Sequence, residues 1–436
     1  AYLSGSANGT GTSASFNNPT GITTDGTNLY VTEFGSHTIR KIVISTGVVT
    51  TLAGTAYLSG SANGTGTSAS FNNPTGITTD GTNLYVADTL NHMIRKISSY
   101  TQMGGAIQGN ELNLSTKVTT LAGNGTSGSN DDNGTAATFN SPFYVTTDGA
   151  NLYVVDAGNH KVRKVVISTA EVSTVAGSGS GGYTDATGTS ASLNYPAGIT
   201  TDGTNLYVVD SYAPRIRKIV ISTGVVSTLA GSGTSDFADG TGSSASFRQP
   251  YGITTDGTNL YLADFGNSRI RKIVISSGVV TTLAGSGSLG STDGAATEAS
   301  FNFPEGITTD GTYLYVADTN NHLIRKIIIS SGVVSTIAGT GSSGSANGTG
   351  TSASFYKPSG ITTDGTNLYI SDSGNHLMRK LVISTGVVTT IAGSGTAGFD
   401  NATGTSASFN GQRGITTDGI KLYIAGYVNH AIRMIE

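Results

Sequence analysis

Residues 301–344 read FNFPEGITTDGTYLYVADTNNHLIRKIIISSGVVSTIAGTGSSG, and the rest of the chain is a series of near copies of this stretch. The copies open at Phe16, Phe71, Phe139, Leu193, Phe247, Phe301, Phe355 and Phe409, so the intervals are 55, 68 and then five of 54 residues. Self-similarity at a fixed period decides the architecture, because each unit buries its core only against its neighbours. The copies run over 1–55, 56–124, 125–178, 179–232, 233–286, 287–340, 341–394 and 395–436, with an insertion at 98–116 in the second. The whole of 1–436 is expected to form a single domain.

Within a copy the pattern gives four strands. Gly21-Ile22-Thr23-Thr24 is followed by an Asp25-Gly26 turn and by Leu29-Tyr30-Val31. Asp-Gly between apolar runs is a hairpin signal, since glycine takes the positive φ a tight turn needs. A third strand runs from Ile39 to Ile44, and Ser45-Thr46-Gly47 turns it into Val48-Val49-Thr50-Thr51-Leu52-Ala53. No helical periodicity is present. Four antiparallel strands repeated eight times predict an all-β chain, an eight-bladed β-propeller, within the usual range of about four to eight blades. A linear solenoid is the competing layout, disfavoured because neither terminal copy has a polar cap. The last copy stops at Ile435-Glu436, at the end of its third strand. Its blade is therefore expected to lack an outer strand and to offer an open edge for pairing, unless the chain is truncated.

Composition narrows the function classes. Glycine is abundant (62) and charged residues make up only 11%, which suits turn-rich β structure. A net charge of −4 without a Lys/Arg run leaves out a nucleic-acid footprint. There is no cysteine for disulfides or thiolate metal sites, and no apolar run long enough to span a membrane. The chain opens at Ala1 with a repeat under way and no signal peptide, as a processed N-terminus or a cloned fragment would. Low charge with Ser, Thr, Gly and Asn surfaces points to a secreted or cell-surface protein.

The tripeptides Asn321-His322-Leu323 and Asn375-His376-Leu377 sit in the frame F-N-x-P-x-G-I…D-G…L-Y-V-A-D…N-H-x-I-R-K…V-x-T-x-A-G. Over essentially the whole chain this resembles the NHL-repeat family of β-propellers. The resemblance implies the propeller fold. Members include RNA-binding propellers, extracellular sensor and adhesion domains, and relatives with lyase activity, often on six blades.

Residues present in every copy read as structure. His37, His92, His160, His322, His376 and His430 share one register, one per blade, so they fix the turn after the second strand and do not cluster on a metal. Arg40, Arg95, Arg163, Arg217, Arg271, Arg325, Arg379 and Arg433 also share one register. Their natural partners are the carboxylates Glu33, Asp88, Asp156, Asp210, Asp264, Asp318 and Asp372, whereas Gly426 leaves Arg433 without one. Acidic loop segments at Asp131-Asp132 and Asp293 are weak Ca²⁺ candidates, and Asn8, Asn63, Asn124, Asn133, Asn347 and Asn401 open Asn-x-Thr glycan acceptors. No Ser-His-Asp set is singled out, so no catalytic residue, metal or cofactor is assigned.

Function is expected where the copies disagree, in the residues flanking the entry proline that seven copies carry. Phe143, Tyr195, Tyr251 and Phe303, with Glu305, Lys357 and Arg413, make a mixed aromatic and charged ring at the mouth of a central channel. Two functions follow. One is a non-enzymatic binding or adhesion module for a protein, peptide or glycan; the other is a structural protein that self-associates through the open edge of the last blade or the insertion.

Overall fold

In the computed structural model, residues 5–24, 28–43, 47–64, 66–79, 83–98 and 118–436 are described. Beyond Ser98 the insertion lies outside them. Each copy starts from its turns. Asp310 Oδ1 accepts the amides of Thr312 (2.9 Å) and Tyr313 (2.7 Å), and its Oδ2 accepts the Tyr315 hydroxyl at 2.9 Å. Thr309 Oγ1 accepts the Gly311 amide, and Gly311 sits at φ 86°, a value its neighbours would resist. The Thr-Thr-Asp-Gly sequence thus closes its hairpin and anchors a buried strand tyrosine with the same carboxylate.

Third-strand arginines then lock each sheet. Arg325 Nη1 donates to Asp318 Oδ2 at 2.7 Å, with both side chains fully buried, and the same pair forms at Asp88–Arg95 (3.0 Å) and Asp372–Arg379 (2.9 Å). Burial pushes Asp318 up to about 6, against the pull of Arg325. The second guanidinium nitrogen reaches the inter-blade loop: Arg163 Nη2 to Asp131 at 2.6 Å and Arg325 Nη2 to Asp293 at 2.7 Å. Those two loop carboxylates therefore serve arginine. In other copies asparagine takes the position, with Asn8, Asn63 and Asn347 accepting from Arg40, Arg95 and Arg379. Three of the Asn-x-Thr asparagines are thus structural clamps.

The chain divides into two compact units, 1–101 and 102–436. In the first, Pro19–Thr24, Asn28–Glu33, Thr38–Val43 and Val48–Ala53 form one sheet, edged by Gly9–Thr10; Pro74–Thr79, Asn83–Asp88 and Met93–Ser98 form a second. Ile39, Ala53, Ala69, Phe71 and Val86 are the core between them.

The second unit holds six sheets. Their innermost strands are Pro142–Thr147, Pro196–Thr201, Ile253–Thr255, Pro304–Thr309, Pro358–Thr363 and Gln412–Thr417. Each consecutive pair shares a core, and the sixth closes on the first through Phe139, Val145, Tyr423 and Ile432. Six blades, rather than eight, complete this ring.

The last blade corrects the sequence expectation. Its order is Gln412–Thr417, Leu422–Gly426, Ala431–Ile435 and then Val118–Ala122, with Thr120 opposite Arg433 and Thr119 opposite Met434. The last strand of copy two in sequence supplies the outer strand of copy eight, so that edge is paired. A non-local antiparallel ladder satisfies the same backbone groups as a local one, and the local pattern does not tell them apart.

Histidines join blade to blade. Each takes a left-handed turn (φ 54° at His160, 58° at His322), and in His37, His160, His322 and His430 the Nδ1 accepts the amide before the next blade's entry proline. Tyr195 N–H donates to His160 at 3.0 Å and Lys357 N–H to His322 at 3.1 Å. At closure Ser141 N–H donates to His430 at 3.0 Å, back across 289 residues. Among the described residues no helix is long and apolar enough to cross a membrane.

Candidate functional site

The entry to each innermost strand faces the ring channel, and here the copies differ. The residue before the proline takes a left-handed turn in Ser141, Tyr195, Gln249, Phe303 and Lys357, and so does Gly411 before Gln412. The next residue but one then enters the innermost strand at the mouth, which places Phe143, Glu305 and Arg413 together.

Arg413 of the sixth blade reaches over the fifth to Glu305 of the fourth. Its Nη1 lies 2.8 Å from each carboxylate oxygen, and Glu305 is only 2% exposed. The Glu305 charge pushes the arginine further up, so Arg413 stays charged. Nε and Nη2 of Arg413 have no partner among the described residues, and the side chain is 32% exposed. Its guanidinium carbon lies 5.3 Å from the Phe143 ring and 5.7 Å from the Tyr427 ring.

Aromatic side chains crowd around this pair. Phe143 is 5.3 Å from Tyr251 and 5.5 Å from Tyr427 between centroids. Tyr251 packs on Phe265 at 4.6 Å and Phe265 on Phe303 at 4.9 Å. Tyr195 stacks on the exposed Tyr212 at 4.7 Å and shares a 2.9 Å hydroxyl contact with Tyr427. Beneath them Tyr144 is buried and donates to the Ser359 carbonyl at 3.1 Å, across the ring. Burial raises the Tyr144 and Tyr195 hydroxyls well above the ordinary tyrosine range and pushes Tyr251 up to about 12. These phenols stay neutral and act as donors at ordinary pH. Tyr144 also lines a cavity of ≈ 70 Å³ at the centre of the ring, walled by alternating isoleucines and threonines such as Ile199 and Thr200 or Ile253 and Thr254. The mouth is therefore a plugged aromatic dish, not an open pore.

Of the seven residues singled out in the sequence, Phe143, Tyr195, Tyr251, Phe303, Glu305 and Arg413 come together. Lys357 does not: it is exposed and lies over the Tyr356 ring at 5.9 Å. Tyr144, Tyr212, Phe265 and Tyr427 were missed. Phe265 and Tyr427 share the register just after the second strand, which reads Ala157, Ser211, Phe265, Thr319, Ser373 and Tyr427 in the ring. That column varies as much as the proline flanks. Among the described residues no three His, Asp or Glu converge as a metal site.

No protein-family model matches the chain. The chain is similar to SUPPRESSOR OF QUENCHING 1, chloroplastic, of Arabidopsis thaliana, 33% identical over 286 residues, 61% of this chain and 26% of that protein. It is 30% identical to NHL repeat-containing protein 2 of Gallus gallus over 359 residues, 73% of this chain and 47% of that protein. The chain thus spans less than half the length of these curated relatives. Among solved structures it is similar to a protein of unknown function from Bacteroides thetaiotaomicron, with TM-score 0.58 and 17% identity over 95% of this chain and 94% of that one. An auxiliary nutrient binding protein of the same species gives TM-score 0.55 and 16% identity over 96% and 98%. At such identities the likeness is one of fold.

Proposed function

Because the chain belongs to the NHL-repeat family of β-propellers, we propose that it is a ligand-binding module whose contact surface is the aromatic dish at the ring mouth. The observation that carries this is the convergence of Glu305, Arg413, Phe143, Tyr195 and Tyr251 where the copies of an otherwise regular repeat differ. A rigid scaffold that varies only at one set of loops concentrates recognition there. The stacked rings suit a ligand with a flat apolar face, and the open edge of Arg413 suits an oxygen acceptor on it. A glycan or an extended peptide carries both. A non-enzymatic role fits the chemistry, since Glu305 has both oxygens on Arg413 and serves poorly as a general base. Low charge and Ser/Thr-rich loops support a secreted or surface setting.

Glycan and peptide arrays probed with the whole chain test this reading. Arg413→Met and Tyr195→Ala are expected each to weaken retained hits about tenfold or more, in line with buried hot-spot residues. Lys357→Ala is expected to leave them unchanged. Hits that survive both dish variants would place binding elsewhere.

A further inference from the structure

One position of the innermost strand sets the depth of the dish. Five of the six ring copies have glycine there, Gly198, Gly252, Gly306, Gly360 and Gly414, whereas the first blade has Tyr144. The tyrosine needs the room they leave: a Cβ on Gly414 would come 2.5 Å from the Tyr144 Cα, and one on Gly306 3.1 Å from its hydroxyl. The Tyr144 side chain reaches across to the Ser359 carbonyl (3.1 Å) and floors the dish. A ligand therefore lies across the aromatic side chains, with no shaft beneath it for a side chain or a chain end.

The polar groups around this floor are donors, and the charged pair sums to zero. Both Glu305 oxygens lie 2.8 Å from a single nitrogen of Arg413, Nη1. The Nε–Nη2 edge thus keeps its N–H groups in the planar fork that matches two oxygens side by side. Glu305 is 2% exposed, so its acceptors are withdrawn from a ligand while its charge offsets the guanidinium. In the 2.9 Å contact between the Tyr195 and Tyr427 hydroxyls one is the donor, and the other's proton has no acceptor among the described residues. Tyr212, 57% exposed and parallel to Tyr195 at 4.7 Å, turns its other face outward.

We propose that the ligand of the dish is a neutral glycan, with one pyranose lying on the tyrosines and two adjacent hydroxyl oxygens accepting from the Nε–Nη2 edge of Arg413. The proposal rests on the reading of the dish as the binding surface and narrows its ligand. A pyranose sets a C–H face on the negative faces of the aromatic groups and oxygen acceptors at its rim. A uronic acid would bring a second carboxylate beside the buried Glu305, and like charges at an interface repel. An extended peptide would bring backbone N–H groups to a surface whose carboxylate is already taken, and an N–H buried without an acceptor is costly.

An array of neutral hexose oligosaccharides, their uronic-acid counterparts and peptides, probed with the whole chain, tests this. Hits are expected among the neutral glycans, with each uronic-acid counterpart bound at least about tenfold more weakly. Tyr212→Ala changes an exposed side chain and is expected to weaken the hits about tenfold. Glu305→Gln leaves the Arg413 charge uncompensated and should reverse the order, so that the uronic acids bind more tightly than the neutral glycans. A general loss of folding would lower both and reverse nothing. No hit among the neutral glycans, or tighter binding of uronic acids by the parent chain, would overturn the proposal. Peptide hits that Tyr212→Ala removes would overturn it too, while leaving the dish as the binding surface. Neutral-glycan hits that neither variant alters would place binding elsewhere and end both readings.

Discussion

Arg325 and Arg433 occupy the same register and are both fully buried, yet Arg325 pairs with the two carboxylates of Asp318 and Asp293, and Arg433 has neither counterpart. Arg325 has Asp318, whereas Arg433 faces Gly426 and donates to the carbonyls of Ser408 (3.2 Å) and Asp400 (2.9 Å) between the rings of Phe399 and Phe409. Burial lowers Arg433 to about 10, against the pull of the Asp400 charge. Arg325→Leu would leave the buried Asp318 without its guanidinium partner and is expected to cost about 3–5 kcal/mol. Arg433→Leu strands only backbone acceptors, for about 1–2 kcal/mol. Urea midpoints of the two variants check the order, and equal losses would mean that Arg433 has a charge partner after all. This difference was legible in the sequence, because a missing carboxylate in a column of carboxylates is a local fact. The histidine register was legible as part of a turn, but its Nδ1 bond to the next blade depends on tertiary packing that no single copy displays.

At the level of the strand and its turn, each histidine joint carries a titratable acceptor. Burial lowers His160, His322 and His430 below their ordinary value, and for His322 the Lys357 charge adds to it. The sign follows from which state holds the proton. Just below pH 6.5 the unfolded chain binds it and the folded joint does not, so this contribution is complete above pH 6.5 and is lost as pH falls. Asp210 and Asp318, raised to about 6 by burial, act the other way: their contribution is present below pH 3.8 and lost as pH rises through about 6. The histidine share must therefore be read as a difference. His430→Asn keeps a residue that tolerates the left-handed turn and a carbonyl acceptor, but does not titrate. Its stability is expected to fall less than that of the parent between pH 7 and pH 5, as measured by urea unfolding at both. Parallel profiles would show that the joint does not sense pH. The dish follows the same division between local and distant information. Variation at the proline flanks pointed to six of its side chains, while Lys357, equally variable and in the same register as Tyr195 and Phe303, lies outside the dish over the Tyr356 ring.

For the whole molecule, the decisive event is which strand completes which sheet. Residues 118–122 read like any fourth strand of the repeat, and the pattern alone assigns them to copy two. The structure instead pairs them with Ala431–Ile435, so the last copy closes through a segment about three hundred residues earlier and six blades form the ring. Period and strand number were visible because each copy repeats them; closure was not, because identical ladders compete for the same strand. Ala122 is fully buried in the core shared by the sixth and first blades. Ala122→Asp would place an unpaired carboxylate there, at a cost of several kcal/mol, and should open the ring at this seam. Hydrogen exchange is expected to speed up first in Val118–Ala122 and Ala431–Ile435, then around the ring, while Ile39 and Val86 in the first unit keep their protection. Ala53→Asp, in the core between the first unit's two sheets, is the converse and should loosen that unit alone. If Ala122→Asp instead spared Ala431–Ile435 and loosened Met93–Ser98, the strand would belong to copy two and the ring would need another closure.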